Sequence, residues 1–217
     1  MNKQMKLFAG IIVFGSLWGF SESIIGPILA DAGLPDGMIM AGFFAMMFLV
    51  LSRMFYQQRG MQIGMGLVAG SLRMINPFGG CHLCSAIAIM AEGLLFEIIW
   101  TYGTTINLDN IQKLQSKVSL GIFTTYIVFS GGYIVTQVMT PLVSIGSVQI
   151  GNLLMFLPQI LARALPVALL GGITVPLALE SKRLHLELKD NLYYPTTLGV
   201  SMLCWIIVIG NWFLYAS

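Results

Sequence analysis

The sequence predicts an all-α membrane protein, a bundle of helices that crosses a lipid bilayer several times. Hydrophobic residues make up 57% of the 217 residues and charged residues only 9%, whereas a soluble domain has roughly 25% charged residues. The apolar residues gather in long runs separated by short polar segments. When these runs are taken as alternating crossings, the basic residues between them fall on one side. These observations predict a polytopic bundle with a six-helix core and a seventh C-terminal transmembrane helix.

Seven apolar runs account for most of the chain. Each is long enough to cross, or nearly cross, a hydrocarbon core of about 30 Å, and the short third run must tilt little or end within the membrane. The polar segments around 103–117 and 180–195 are too short for a soluble core, so we predict a single integral membrane domain over residues 1–217. The runs are residues 7–29, 37–54, 62–76, 82–101, 118–140, 153–179 and 196–215.

Basic residues predict the orientation. Positive charge marks the cytoplasmic side of a membrane protein, so we expect a multi-pass plasma membrane protein with its N-terminus in the cytoplasm and its C-terminus outside. The net charge of +2 then reflects loops near anionic lipid headgroups and gives no reason to expect a nucleic acid partner. The predicted inner side holds Lys3, Lys6, Arg53, Arg59, Lys113, Lys117, Lys182, Arg183 and Lys189.

The first run is expected to be a retained helix, although it has features of a signal peptide. Lys3 and Lys6 precede the apolar residues, and Ala30-Asp31-Ala32 is similar to a cleavage site. However, the run is longer than the ~7–15 residues of a signal sequence, and Glu22 interrupts it.

Small residues and a carboxylate share one face of the first helix. Gly15, Gly19, Glu22 and Gly26 recur at helical spacing. Such a face allows another helix to approach closely.

The third run repeats this pattern with Gly66, Gly70 and Arg73. Charges inside a membrane are costly and usually face a partner or a water-filled cavity. Glu22 and Arg73 are therefore expected to form a buried ion pair that fixes packing, or to contact substrate in an outward-facing cavity. The two interpretations are compatible, because an ion pair can open to receive an anionic or zwitterionic ligand.

The fourth run carries a polar stripe from the outer surface to the middle of the membrane. Cys81, Ser85, Ala88 and Glu92 fall on one helical face. Glu97 lies about 140° around the helix from Glu92, so we expect it to serve another contact.

The sixth run adds a further polar face, formed by Asn152, Gln159 and Arg163. Prolines in this run predict kinks that free carbonyl groups. The polar faces of four helices are therefore expected to meet in one region of the outer half. The prolines are Pro158, Pro166 and Pro176.

The segment Asn76–Cys84 places Cys81, His82 and Cys84 at an outer helix start. Soft ligands at this spacing leave three interpretations open: a disulfide that staples the turn, ligands for a transition metal, or a redox pair that faces a quinone. A further interpretation is that the cysteines only pack against their neighbours and carry no chemistry. A zinc site would need further ligands, and the remaining candidates, His185 on the inner side and Cys204 inside the last run, cannot complete an outer site.

Three segments carry a resemblance to a known family. They are Gly15–Glu22 (GSLWGFSE), Arg59–Gly70 with its recurring glycines, and Glu92–Glu97. With these features the chain resembles the S component of energy-coupling factor (ECF) transporters, small six-helix membrane proteins that bind a substrate. The resemblance covers about residues 5–183, the expected core, and leaves the run at 196–215 as an additional helix.

The resemblance implies a substrate-capturing subunit of a prokaryotic uptake transporter rather than an enzyme. Such a subunit takes a vitamin, a precursor or a transition metal from outside and docks with a transmembrane coupling subunit powered by partner ATPases. The chain itself has no Gly-x4-Gly-Lys-Ser/Thr sequence for ATP. A tetrapyrrole would also suit a pocket of mixed charge. The pocket would comprise Glu22, Arg73, Glu92, Arg163, Gln159 and Trp18, with Cys81, His82 and Cys84 as its lid or metal ligands and Gly15 and Gly19 as the docking face.

Two other functions remain open at the level of sequence. One is a membrane oxidoreductase in which Cys81 and Cys84 exchange electrons with quinone and Glu92 handles protons. The other is a structural subunit of a membrane complex, in which the ion pairs only fix packing. A convergence of polar faces favours the binding subunit, because packing alone does not require it.

Overall fold

A computed structural model describes residues 3–75, 82–103, 113–143, 150–181 and 190–216. In these ranges the chain is helical apart from short turns, and no strand occurs. Six helices of the described chain are long and apolar enough to cross a membrane, and one shorter apolar helix accompanies them. The predicted all-α polytopic bundle is therefore confirmed.

The helices begin and end within a few residues of the predicted runs. We label them α1 Lys3–Asp31, α2 Asp36–Phe55, α3 Met61–Ile75, α4 His82–Ile98 with a π-helical turn Ile99–Gly103, α5 Leu114–Val143, α6 Ile150–Glu180 and α7 Asp190–Ala216. At 1.5 Å per residue, α3 is only about 22 Å long. It is thus shorter than the hydrocarbon core, as the short third run predicted.

The first six helices form a closed ring in the order α1, α3, α4, α5, α6, α2. Glycines allow the backbones to approach closely at several of these contacts. An added Cβ would lie 2.7 Å from Val68 at Gly15, 2.5 Å from the Gln62 carbonyl oxygen at Gly93 and 2.5 Å from the Gly171 carbonyl oxygen at Gly121. Because bare backbone packs at these points, the helices cannot accept larger side chains there.

Helix α7 lies outside the ring and packs against α1 and α3. Trp205 Nε1 donates a hydrogen bond to Ser16 Oγ at 3.1 Å, and the Tyr193 hydroxyl donates to the Lys6 carbonyl oxygen at 3.4 Å. These contacts make α7 run parallel to α1, so its C-terminal half lies toward the end opposite Lys6. The apolar run predicted at 196–215 is therefore an additional, peripheral helix.

Apart from Arg73 and Arg163, the basic residues of the described chain lie at one end of the bundle, which we call the basic end. Arg53 Nη2 donates to the Trp100 carbonyl oxygen at 3.5 Å, and Lys117 pairs with Glu180. Tyr56 and Tyr193 share a hydrogen bond at the same end. We call the opposite end, near Asp31 and Asp36, the distal end. Lys182, Arg183 and Lys189 lie outside the described residues.

Glu97 links two helices at the basic end. Its carboxylate accepts hydrogen bonds from the backbone N–H groups of Gly60, Gln62 (3.1 Å) and Ile63 (3.2 Å). The first N–H groups of a helix have no partner within that helix, so this carboxylate from α4 caps the start of α3. The prediction that Glu97 serves a different contact from Glu92 is confirmed.

Replacing Glu97 by Ala should destabilise the protein strongly. The residue is 4% exposed, and each buried N–H that loses its partner costs about 1–3 kcal/mol. We expect the free energy of unfolding to fall by at least about 2 kcal/mol, which should appear as a lower thermal unfolding midpoint in mild detergent.

The matched control is Glu180→Ala, which removes a partly exposed pair with Lys117. Such pairs contribute about 0–1 kcal/mol. Equal effects of the two substitutions would show that the cap of α3 does not support the fold.

Candidate functional site

Four ionisable residues from four helices lie together toward the distal half of the bundle. Arg73 of α3 interacts electrostatically with Glu22 of α1 and with Asp36 of α2, and Glu22 interacts in turn with Glu92 of α4. Arg73 and Glu92 are both 7% exposed. We call these four residues the distal charge cluster.

Glu22 lies in a π-helical turn, Ser21–Ile25, which interrupts the regular hydrogen bonding of α1. Such turns are rare and often mark functional sites. Trp18, one turn earlier, is completely buried and donates from Nε1 to Glu22 Oε1 at 3.4 Å. The carboxylate is therefore held by a hydrogen bond from its own helix, and it also interacts electrostatically with Arg73.

The glycines of α1 and α3 bring the charged residues together. At Gly19 of α1, an added Cβ would lie 2.8 Å from Leu72, the residue before Arg73. At Gly66 of α3, an added Cβ would lie 3.4 Å from Gly93, the residue after Glu92. The close approach predicted from the glycine spacing is thus confirmed, and its partner is α3.

This packing corrects one expectation drawn from the resemblance. Gly15 and Gly19 were expected to dock a coupling subunit, but both are buried against α3, beside Val68 and Leu72. A face of glycines allows close packing with any neighbouring helix, and here that neighbour is α3 of the same chain. Both glycines are therefore engaged in a contact within the chain.

Arg163 and Gln159 do not join the distal charge cluster. They line a separate cavity of about 310 Å³ between α5 and α6, together with Phe129, Tyr133, Gln137, Phe156 and Ile160. The predicted convergence of four polar faces therefore needs correction. The faces of α1, α3 and α4 meet, whereas that of α6 faces α5, because the ring places α5 between α4 and α6. The side chain of Asn152 lies outside the described residues.

The polar stripe of α4 reaches a second cavity, of about 460 Å³. Cys84, Ser85 and Ala88 line it from α4, and α5 contributes Tyr133, Thr136, Gln137, Thr140 and Pro141. The two cavities share Tyr133 and Gln137, so they adjoin each other across α5.

Sequence reasoning missed the contributions of α2 and α5. Asp36 was placed just outside the second run, yet it is the first residue of α2 and interacts with Arg73. Phe129, Tyr133 and Gln137 recur at intervals of four residues. That spacing was visible, but none of the three is charged, and aromatic residues and single amides are common in any membrane helix.

The Cys81–Cys84 segment is described only in part. Cys84 is disulfide-bonded, and Cys204 is a free, buried cysteine. Cys81 lies outside the described residues. His82 is the first residue of α4, and its buried Nδ1 has no hydrogen-bond partner within the described chain. The described residues contain no group of three His, Cys, Asp or Glu side chains that could hold a metal ion.

Comparisons with known protein families, with curated proteins and with solved structures returned no match to this chain.

Proposed function

We propose that this protein is the substrate-capturing subunit of a prokaryotic uptake transporter. In this proposal it takes a micronutrient from outside the cell into the distal half of its helix bundle. A transmembrane coupling subunit and partner ATPases then supply the energy. The protein is not itself an enzyme. The distal charge cluster is the observation that carries the proposal.

The composition of the cluster supports binding rather than packing alone. An ion pair that only fixes two helices needs one carboxylate for one guanidinium. Here Glu22 and Asp36 both interact with Arg73, Glu92 interacts with Glu22, and each of these carboxylates comes from a different helix. Ionisable side chains inside a membrane are rare and usually mark substrate or ion pathways. A ligand with a cationic group would find carboxylates in excess, and one with both charges would find a partner for each.

The cavities support the same proposal, because a captured ligand needs space beside polar groups. The two adjoining cavities of about 310 and 460 Å³ are in the size range of small-molecule sites. Tyr133 and Gln137 offer hydrogen bonds to both of them, and α4 and α5 extend from there to the distal end.

The proposal includes partner subunits because of one feature of the sequence. The chain contains no Gly-x4-Gly-Lys-Ser/Thr segment for cradling ATP phosphates, so transport driven by ATP needs a separate ATPase. Docking would have to use a surface other than the buried Gly15 and Gly19. The outer face of the ring and the exposed surface of α7 remain as candidates.

Affinity purification from native membranes tests this part of the proposal. Tagged protein, extracted in mild detergent, should retain an integral membrane subunit and proteins with ATP-binding sequences. Reconstituted in liposomes, the assembly should hydrolyse ATP faster when substrate-containing cell extract is supplied. Recovery of the chain with electron-transfer proteins instead would favour the oxidoreductase, and recovery with unrelated membrane complexes would favour a structural subunit.

A further inference from the structure

We propose that the cavity between α5 and α6 binds the carboxylate of a small organic anion with a flat apolar body, and that Arg163 is its cationic partner. This inference rests on the proposed function and names the class of its substrate. This cavity includes neither the residues of the distal charge cluster nor Cys84.

Arg163 is the charged residue in the described lining of this cavity. Arg163 belongs to an apolar helix, and it makes no ion pair or hydrogen bond with the other described residues. The described lining residues include no Asp or Glu. A guanidinium presents a fork of N–H donors that matches a carboxylate. An arginine that has no carboxylate partner among the described residues is therefore suited to a carboxylate from a ligand.

The walls define the rest of the ligand. Phe129 and Phe156 contribute aromatic surface from α5 and α6, which favours a flat apolar group between them. Tyr133, Gln137 and Gln159 add neutral hydrogen-bonding groups, which can orient a bound ligand without adding charge. A volume of about 310 Å³ is at the lower end for small-molecule sites, so one or two fused rings suit it better than a tetrapyrrole.

The depth of Arg163 argues against a lipid headgroup as the anion. The residue lies near the middle of Ile150–Glu180, about 20 Å from the distal end of the helix. This helix is about 46 Å long and the hydrocarbon core about 30 Å thick, so a helix that spans the bilayer symmetrically holds its middle residues well below the lipid phosphates. The adjoining cavity along α4 and α5 instead gives a soluble anion a path from the distal end, past Ser85 and Thr136.

Binding of 2-naphthoate to the full chain in phosphatidylcholine nanodiscs tests the inference. The comparison compounds are 2-naphthamide, which lacks the charge, and 2-naphthylmethylammonium, which reverses it. We expect saturable binding of one naphthoate per chain and at least about tenfold weaker binding of the amide, because hydrogen bonds to charged groups are among the stronger ones.

Substitutions at two arginines then locate the site. Arg163→Gln should weaken naphthoate binding at least about tenfold, and Arg163→Lys should restore part of it, because the charge returns without the fork. The matched control is Arg59→Gln at the basic end, because Arg59 is exposed like Arg163 but lies outside this cavity, and binding should not change. Each variant is first shown to have the elution profile and unfolding midpoint of the original protein.

Three outcomes would overturn the inference: no saturable binding of naphthoate, equal binding of the amide, or binding that Arg163→Gln leaves unchanged. The second and third would mean that the anion partitions into lipid or binds elsewhere. If the cationic compound binds and Glu22→Gln weakens that binding, the capture function stands while the assignment to Arg163 fails. If none of the three compounds binds and the purified protein also retains no ligand of its own, both proposals fail.

Discussion

Replacing Arg73 by Ala is expected to abolish ligand retention and to destabilise the fold. The guanidinium is 7% exposed and has carboxylates of α1 and α2 around it. Removing one member of a buried ion pair costs about 3–5 kcal/mol, because the remaining charge is left uncompensated. The loss should appear as a lower unfolding midpoint and as the disappearance of any ligand that the original protein carries.

A double-mutant cycle with Glu22→Ala measures the coupling. If the two residues act as a pair, the two single substitutions should lower the free energy of unfolding by a summed amount that exceeds the loss in the double variant. The expected difference is about 0.5–3 kcal/mol. Additive losses would contradict the electrostatic contact between Glu22 and Arg73. Arg73→Lys serves as the conservative control, since it keeps the charge and loses the bidentate geometry.

Replacing Gly93 by Ala is expected to have a comparably large effect on stability. An added Cβ at this position would lie 2.5 Å from the Gln62 carbonyl oxygen, which belongs to the backbone of α3. Backbone cannot move aside as a side chain can, so α3 and α4 would have to separate. Overpacking of this kind costs about 1–3 kcal/mol and sometimes more, and it would also displace Glu92, the next residue toward the distal end.

Two glycines of α7 provide a matched control for this substitution. Gly199 and Gly210 have no neighbouring atom within 4 Å of an added Cβ. Alanine is favoured over glycine inside a helix by roughly 1 kcal/mol, so Gly199→Ala and Gly210→Ala should leave the unfolding midpoint unchanged or raise it. If Gly93→Ala behaved like these two, the close contact of α3 and α4 would be contradicted.

The helices themselves were predictable because a bilayer imposes a simple rule on the sequence. Apolar length and basic flanks fixed the number of helices and their ends to within a few residues. Helical spacing also gave the right face for Glu22 and the separation of Glu97 from Glu92. Such spacing depends only on the geometry of one helix, which the sequence specifies locally.

The order of helices around the ring was not predictable in the same way. Spacing shows which face of a helix is polar but not which neighbour that face meets. For this reason Arg163 was expected beside Glu22, whereas the structure places it against α5. Gly15 and Gly19 were correctly identified as a packing face but assigned to the wrong helix partner. The π-helical turn at Ser21–Ile25 also leaves no simple trace in the sequence.

Native mass spectrometry of the full chain, purified in mild detergent without added ligand and combined with elemental analysis, tests substrate capture most directly. The proposed function predicts a retained small molecule at one copy per chain, which Arg73→Ala loses and Gly199→Ala keeps. If the retained molecule is an organic acid that Arg163→Gln also loses, the inference about Arg163 is supported as well. A stable, folded protein that carries no ligand even when it is isolated from substrate-rich cells would contradict the account.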